Sequence, residues 1–317
     1  MKTCAICQNY HNNKIYTAYE MLFGLRDPFE YIECASCGCL QIKEVPDNIG
    51  KYYPENYPSF KTKKNSKKKP LRTFLRRQRS RYCLFGNNKI WPLRSKKYGS
   101  FSWLKKTKTT FDSAIIDIGC GSGKLLNRMH RHGFKNLMGV DPFIKESLFY
   151  QNGVTVLKKD IFELEGQFDL IMCHHSFEHM SQPLKVLKKI HELLKRDKFV
   201  LIRIPVAACF AWRHYGVNWA ALDAQRHLFL HTVESIELLS KQAGFKVTDI
   251  EFDSTENQFL HSELYLKGIP LKDKVRYLKD PQNSIFSQKQ IEEYRAKAIE
   301  LNNKMQGDQA CFFLRRQ

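Results

Sequence analysis

The stretch that most limits what this chain can fold into is AIIDIGCGSGKLLNRM, Ala114 to Met129. Ile115, Ile116 and Ile118 form a β-branched apolar run of the kind that makes a buried parallel strand. It closes on a carboxylate, Asp117, and is followed by Gly119, Gly121 and Gly123. Lys124, Leu125, Leu126 and Met129 then fall at helical spacing. Strand, glycine turn and helix make the first βα unit of an open α/β sheet, whose ligands lie beyond the carboxyl ends of its strands. Glycine is required in the turn because a side chain would keep the backbone away from a ligand and would disfavour positive φ.

Two familiar nucleotide sites are excluded by spacing. The dinucleotide fingerprint GxGxxG fails because Lys124 stands where the third glycine belongs, and the P-loop fails because Lys124 lacks the spacer of GxxxxGK[ST]. What remains is DxGxGxG. Downstream, Leu137 to Val140 reads as a second strand ending at Asp141, 22 residues after Gly119, where an acid can accept from both ribose hydroxyls. Val154 to Leu157 reads as a third strand leading to Asp160 and Ile161, and FDLIMCHH, Phe168 to His175, as a fourth. A helix carrying Leu184, Leu187, Ile190, Leu193 and Leu194 follows, then a fifth strand, Phe199 to Val206. Ser235 to Ala243 reads as a helix, Phe245 to Phe252 as a sixth strand, Gln288 to Lys304 as a charged helix within an insertion, and Ala310 to Leu314 as a seventh, antiparallel strand.

These elements, in this order, resemble class I S-adenosylmethionine-dependent methyltransferases. DIGCGSG looks like motif I of that family and GVDPF like motif II. The resemblance implies a Rossmann-like seven-stranded sheet, mostly parallel with its last strand antiparallel. It implies a cofactor site built from Asp117, Gly119, Cys120, Gly121, Gly123, Asp141, Pro142, Phe143, Asp160, Ile161 and His174. In it, Asp141 meets the ribose, Phe143 lies against adenine, and Asp160 meets the adenine amino group.

Ahead of this core, Cys4 and Cys7 form one CxxC and Cys34 and Cys37 another, 26 residues apart. Two such knuckles supply four thiolates for one tetrahedral zinc and leave no open position, which makes the site structural. Ile15 to Phe23 and Phe29 to Glu33 would pair as the strands of a zinc ribbon, with Cys39 or His11 as substitute ligands. Residues 1–58 are thus expected as a zinc-ribbon-like domain, 59–108 as a basic linker and amphipathic helix, and 109–317 as the methyltransferase domain with an insertion at about 254–308. A CxxC pair, a second CxxCG and the stretch Tyr52 to Tyr57 before a methyltransferase core are similar to bacterial enzymes acting on sugars, often in surface-polysaccharide synthesis.

The chain carries a net charge of +20, and residues 61–108 hold 18 Lys or Arg with no Asp or Glu. Leu71 to Phe85 interleaves Leu71, Phe74, Leu75, Tyr82 and Phe85 with five arginines, a basic amphipathic helix. Such a helix suits an anionic membrane surface, a phosphorylated acceptor, nucleic acid or plain solvent exposure. No apolar run reaches the ~20 residues of a membrane span, and MKTCAICQNYHNN lacks a signal-peptide core. The expected location is the cytoplasm, with peripheral contact at the inner face of the membrane as an option, and the cysteines are expected as thiols or ligands.

For the acceptor side, His175, Glu178, His179 and His227 are the candidate catalytic residues. His174, His175, Glu178 and His179 follow the fourth strand, and DAQRHLFLH, Asp223 to His231, adds Arg226 and His227. Histidine titrates near working pH and can take the proton of a hydroxyl acceptor. Trp212, Tyr215 and Trp219 are expected either to stack on a sugar ring or to pack in the core. The leading reading is O-methylation of a nucleotide-linked, lipid-linked or polymeric glycan. An RNA methyltransferase is second, disfavoured because the Asn/Asp-Pro-Pro-aromatic phrase of base-amino methylation is absent after the fourth strand. A non-catalytic zinc adapter is third.

Overall fold

The computed structural model of the chain describes residues 3–47, 49–53, 59–60, 74, 77, 78, 80, 81, 84, 99–278 and 284–316. The low-complexity part of the expected linker, residues 61–70, and residues 54–57 of the tyrosine-rich stretch lie outside them. Of the expected basic helix, Phe74, Arg77, Gln78, Ser80, Arg81 and Leu84 have helical backbone. Leu84 packs on the second apolar core and Ser80 Oγ lies 2.6 Å from His132 Nδ1.

The amino-terminal part contains β1 (Lys14–Tyr19), β2 (Pro28–Glu33) and β3 (Leu40–Ile42). β1 and β2 pair antiparallel, Lys14 opposite Glu33 through Tyr19 opposite Pro28. The remainder contains β4 (Ala114–Ile118), β5 (Asn136–Val140), β6 (Leu148–Phe149), β7 (Thr155–Leu157), β8 (Phe168–His174), β9 (Leu194–Pro205), β10 (Phe229–Leu230), β11 (Phe245–Phe252) and β12 (Gln309–Arg316). The main sheet runs β11-β12-β9-β8-β4-β5-β7-β6. β4, β5, β7, β8 and β9 are parallel, while β12 lies between β9 and β11 and is antiparallel to both. The architecture is the expected α/β, Rossmann-like sheet, with the two-residue β6 added antiparallel at its edge.

Alternation along the strands splits the core in two. Ile115, Leu137, Leu170, Met172, Leu201 and Phe313 pack on one face with Leu126 and Met129 of the helix Lys124–His132. Ile116, Ile118, Ile171, Cys173, Val200 and Ile202 pack on the other with the helices Pro183–Leu193 and Val233–Gln242. The near-continuous burial of β4, β8 and β9 follows from this double coverage. β9 begins at Leu194, which was expected to end the preceding helix.

The amino-terminal strands do not form a separate layer. β10 pairs antiparallel with β3, so the small sheet runs β1-β2-β3-β10 and takes its last strand from the methyltransferase part. Cys4, Ile6, Tyr31 and Leu40 belong to the same apolar core as Ile116 and Cys173. Trp219 is fully buried and Trp212 and Tyr215 are each 6% exposed. Trp212 Nε1 donates to Glu33 Oε1 (2.9 Å) and Trp219 Nε1 to Asp308 Oδ2 (3.1 Å). These aromatics are therefore core, and offer no stacking face for a sugar.

Candidate active site and metal centre

β4 delivers the glycine turn. Gly119 N–H donates to Val140 O (2.8 Å), and Gly121 N–H to Asp141 Oδ2 (2.8 Å). Gly119, Gly121 and Gly123 all have φ between +55° and +70°. A Cβ on Gly119 would come within 2.4 Å of Ser176 Cβ, and one on Gly121 within 2.7 Å of Ser59 O. The glycines thus serve close approach as well as backbone geometry. Ser176 in turn ties β8 to β4, its Oγ donating to Ile118 O (2.6 Å). Ser59 O accepts from both the N–H and the Oγ of Ser122 at 3.0 Å, which brings the segment before the basic region over the turn.

Asp141 sits at the end of β5, buried, with Oδ1 accepting from Phe143 N–H (2.9 Å). Burial pushes its carboxyl up, and the N–H groups of Phe143 and Gly121 pull it back. Asp117 is 3% exposed and its Oδ1 has no hydrogen-bond partner. Burial and the neighbouring Asp141 charge hold it well above the carboxylate range. Asp117 and Asp141 thus put two buried carboxylates at the ends of adjacent strands. Orphaned buried acceptors ask for a ligand, and S-adenosylmethionine brings a sulfonium and an ammonium.

The other expected cofactor residues divide. Pro142 is exposed, Cys120 is half-buried against Gly139, and Phe143 is an exposed ring stacked on Tyr53 (5.5 Å, 3°). Asp160 is exposed and builds a capping box: Oδ1 accepts from Phe162 N–H (3.0 Å) while Asp160 N–H donates to Glu163 Oε2 (2.7 Å). Ile161 is buried beneath it. His174 faces Trp103 (5.1 Å between rings), and burial brings its imidazole down to about 3.

Immediately after β8 the chain turns through His175, at φ +52°, into the 3-10 turn Phe177–His179. His175 Nε2 accepts from Arg203 Nη1 (2.6 Å), so its proton is on Nδ1, 3.6 Å from Glu178 Oε1. Glu178 is completely buried and neither oxygen has a hydrogen-bond partner. Burial raises its carboxyl, but contact with His175 and the charges of His179 and His227 outweigh it and hold the group down to about 2. His179 Nδ1 lies 2.6 Å from Arg226 O and 3.2 Å from Tyr53 Oη. His227 Nδ1 lies 2.8 Å from Ala221 O, and its Nε2 lies 3.8 Å from Glu178 Oε1. Burial, then the charge of His179, lowers His227 to about 4.

The four candidate catalytic residues are therefore brought together. Arg226, by contrast, is fully buried in a bridge between Asp223 and Glu20 of the amino-terminal part. It holds the two parts of the molecule together and does not face an acceptor. Tyr53 was missed as a site residue, although it lies in the tyrosine-rich stretch that the resemblance had singled out.

In the cysteine centre, Cys4, Cys7, Cys34 and Cys37 place their Sγ atoms within 4.8 Å of one another. Cys4–Cys37 is 3.8 Å and Cys7–Cys34 is 3.4 Å, against the about 3.8 Å that tetrahedral zinc with ~2.3 Å bonds requires. Both knuckles close alike: Gln8 N–H donates to Cys4 O (3.0 Å) and Gly38 N–H to Cys34 O (2.9 Å), with Gln8 and Gly38 both at left-handed φ. Cys39 stands outside, its Sγ donating to Leu40 O (3.6 Å). A groove of about 620 Å³ borders the second knuckle and Ala207 to Cys209, away from the glycine turn.

A mostly parallel sheet with an antiparallel strand inserted next to its fifth, a glycine turn after the first, and an acid after the second define a class I S-adenosylmethionine-dependent methyltransferase. A family profile described as "Methyltransferase domain" matches residues 74–250, and the chain belongs to that family. It is similar to the ubiquinone biosynthesis O-methyltransferase of Pseudomonas aeruginosa (strain UCBPP-PA14), 30% identical over 166 residues, 47% of this chain and 71% of that protein. It also resembles the tRNA U34 carboxymethyltransferase of Helicobacter pylori (strain G27), 32% identical over 118 residues, 32% of this chain and 45% of that protein. In fold it is similar to the cyclopropane synthase MmaA2 from Mycobacterium tuberculosis, 17% identical over 72% of this chain and 87% of that one, with a TM-score of 0.45.

Proposed function

We propose that the enzyme transfers the methyl group of S-adenosylmethionine to a hydroxyl of a sugar, carried on a nucleotide, a lipid or a polymer in surface-polysaccharide synthesis. The observation that carries this is the convergence of Glu178, His175, His179 and His227 beside the cofactor turn. Since Nδ1 of His179 and of His227 each faces a carbonyl, the available lone pairs are on Nε2. Such a cluster suits activation of an O–H group, and the relatives named as O-methyltransferases point the same way. Cofactor positioning falls to Asp117, Asp141, Phe143 and the glycine turn. Zinc in the Cys4, Cys7, Cys34 and Cys37 site is proposed as structural, because four thiolates leave no open position. No helix among the described residues is long and apolar enough to cross a membrane. Contact with lipid or phosphate is assigned to the basic segment 61–108, and the location to the cytoplasm.

RNA is the second reading, favoured by that basic segment and by the tRNA-directed relative. One experiment separates the two: methyl transfer from labelled S-adenosylmethionine to nucleotide sugars, lipid-linked glycans and bulk RNA, with wild type and His179→Gln. Incorporation into a sugar that falls about 10²- to 10⁴-fold in the variant, with cofactor binding retained, is expected. Label found only in RNA would overturn the sugar reading.

A further inference from the structure

Glu178 is a buried carboxylate whose one facing N–H, His175 Nδ1, stands 3.6 Å from Oε1, beyond hydrogen-bond reach. Its carboxylate has no exposure and neither oxygen has a hydrogen-bond partner. Its imidazole neighbours His179 and His227 keep their protons on the far side, donating from Nδ1 to the carbonyls of Arg226 (2.6 Å) and Ala221 (2.8 Å). His227 therefore turns a lone pair, on Nε2, toward Glu178 Oε1 at 3.8 Å. One donor atom from each of Glu178, His179 and His227 falls within 4.8 Å of the others. A carboxylate facing lone pairs in a buried site is repulsive unless positive charge lies among them. An Nδ1–H fixed on a backbone carbonyl is also the arrangement by which proteins orient metal-binding histidines.

We propose that Glu178, His179 and His227 bind a divalent first-row cation, which holds the acceptor through two neighbouring oxygens. The two imidazoles and one carboxylate come from only two segments, the 3-10 turn after β8 and the loop before β10. That loop is set by left-handed backbone at Asp223 (φ +42°) and Gln225 (φ +69°). Asp223 Oδ2 lies 3.8 Å from His227 Nε2, but Asp223 is held by Arg226. Three ligands leave coordination positions open, and a mixed nitrogen and oxygen set suits Mn²⁺ and its neighbours better than thiolates would. A closure of the donor triangle to about 3 Å edges is needed for bonds of ~2.1 Å. The open positions favour an acceptor with adjacent oxygens, a vicinal diol or a hydroxyl beside a carbonyl. This rests on the reading of the acceptor as an oxygen nucleophile, and it makes His179 a ligand. The bound hydroxyl is acidified by the ion, its proton leaves to water, and its oxygen takes the methyl as the sulfonium C–S bond breaks to give S-adenosylhomocysteine.

The test is Mn²⁺ uptake by the whole protein, followed by electron paramagnetic resonance. The four-cysteine centre does not compete, since thiolates disfavour Mn²⁺. Wild type should take up one equivalent and show imidazole nitrogen couplings in the spin-echo spectrum. Glu178→Gln should weaken uptake by about 100-fold while keeping S-adenosylmethionine binding. No uptake by folded wild type up to about 1 mM ion, or bound ion without nitrogen coupling, overturns the cation site even if Glu178→Gln does not fold. Methyl transfer that persists under a strong chelator overturns it too, and leaves the methyltransferase reading standing.

Discussion

Asp141 has two backbone N–H donors from different loops, Gly121 on one oxygen and Phe143 on the other. Its remaining lone pairs are what a ribose diol would use. Asp141→Asn should therefore loosen the glycine turn and the cofactor together. Calorimetry with S-adenosylmethionine should show affinity lower by about 10-fold or more, since charged hydrogen bonds contribute about 1.5–3 kcal/mol each; unchanged affinity would place the ribose elsewhere. Arg226 makes the opposite case, a buried charge that belongs to the scaffold. Its guanidinium lies between the carboxylates of Asp223 and Glu20, and Glu20 also accepts the N–H groups of Phe23 and Leu25 at 2.8 Å. Removing one partner of such a network leaves uncompensated charge. Denaturant unfolding of Arg226→Ala should show a loss of about 3–5 kcal/mol, and a loss under 1 kcal/mol would contradict the buried bridge. Sequence could place Arg226 beside His227 but not separate their roles, because the partner that decides, Glu20, is over 200 positions away.

At the level of elements, β3 and β10 join the cysteine centre to the loop that carries His227. Thr232 Oγ1 donates to Cys37 O (2.6 Å), Tyr31 Oη donates to His227 O (2.8 Å), and Gln225 N–H donates to Tyr31 Oη (3.0 Å). β2, which carries Tyr31 and runs into the second knuckle, thus sets the backbone that carries His227. Cys34→Ser should lose the about one equivalent of zinc expected per chain. It should also lower methyl transfer far more than S-adenosylmethionine binding, since the glycine turn hangs from β4 and β5 instead. Metal analysis alongside calorimetry decides this, and an equal loss of both would mean that the two parts unfold as one. This coupling also marks where sequence reading stopped. β4, β5, β8 and β11 were legible because apolar runs and terminal acids or glycines bound them. β3 and β10 were not, being three and two residues long and defined by each other across the chain. For the same reason Trp212 and Trp219 were ambiguous: an aromatic run looks alike whether it faces a ligand or Glu33 and Asp308.

For the molecule as a whole, the centre where the two parts meet is rich in histidines held neutral. His231 is fully buried between the rings of Phe177 and Phe229, and burial lowers it to about 3. His174, also lowered to about 3, and His261, to about 4, share the cause. Each takes a proton near its ordinary value of ~6.5 when unfolded but not when folded. Below that value the unfolded state binds more protons, so folding stability is fully present above it and declines as pH falls toward the folded values. Asp117 and Asp308, raised by burial, work against this, because they hold protons better in the folded state. Protonation of the four cysteines of the proposed zinc site would add to the decline, so absolute melting curves mix several sources. The difference between wild type and His231→Phe isolates one. Phenylalanine keeps the ring stack and forfeits only the 3.3 Å contact with Ser235 Oγ. Well below ~6.5, the stability of wild type relative to the variant should fall by about 1.4 kcal/mol per pH unit, the slope of a single proton. Chemical unfolding of both proteins at several pH values between about 7 and 5 reads it directly. Parallel stability curves over that range would show that His231 is protonated in the fold, and would remove the neutral, stacked histidine from the account of how the two sheets are joined.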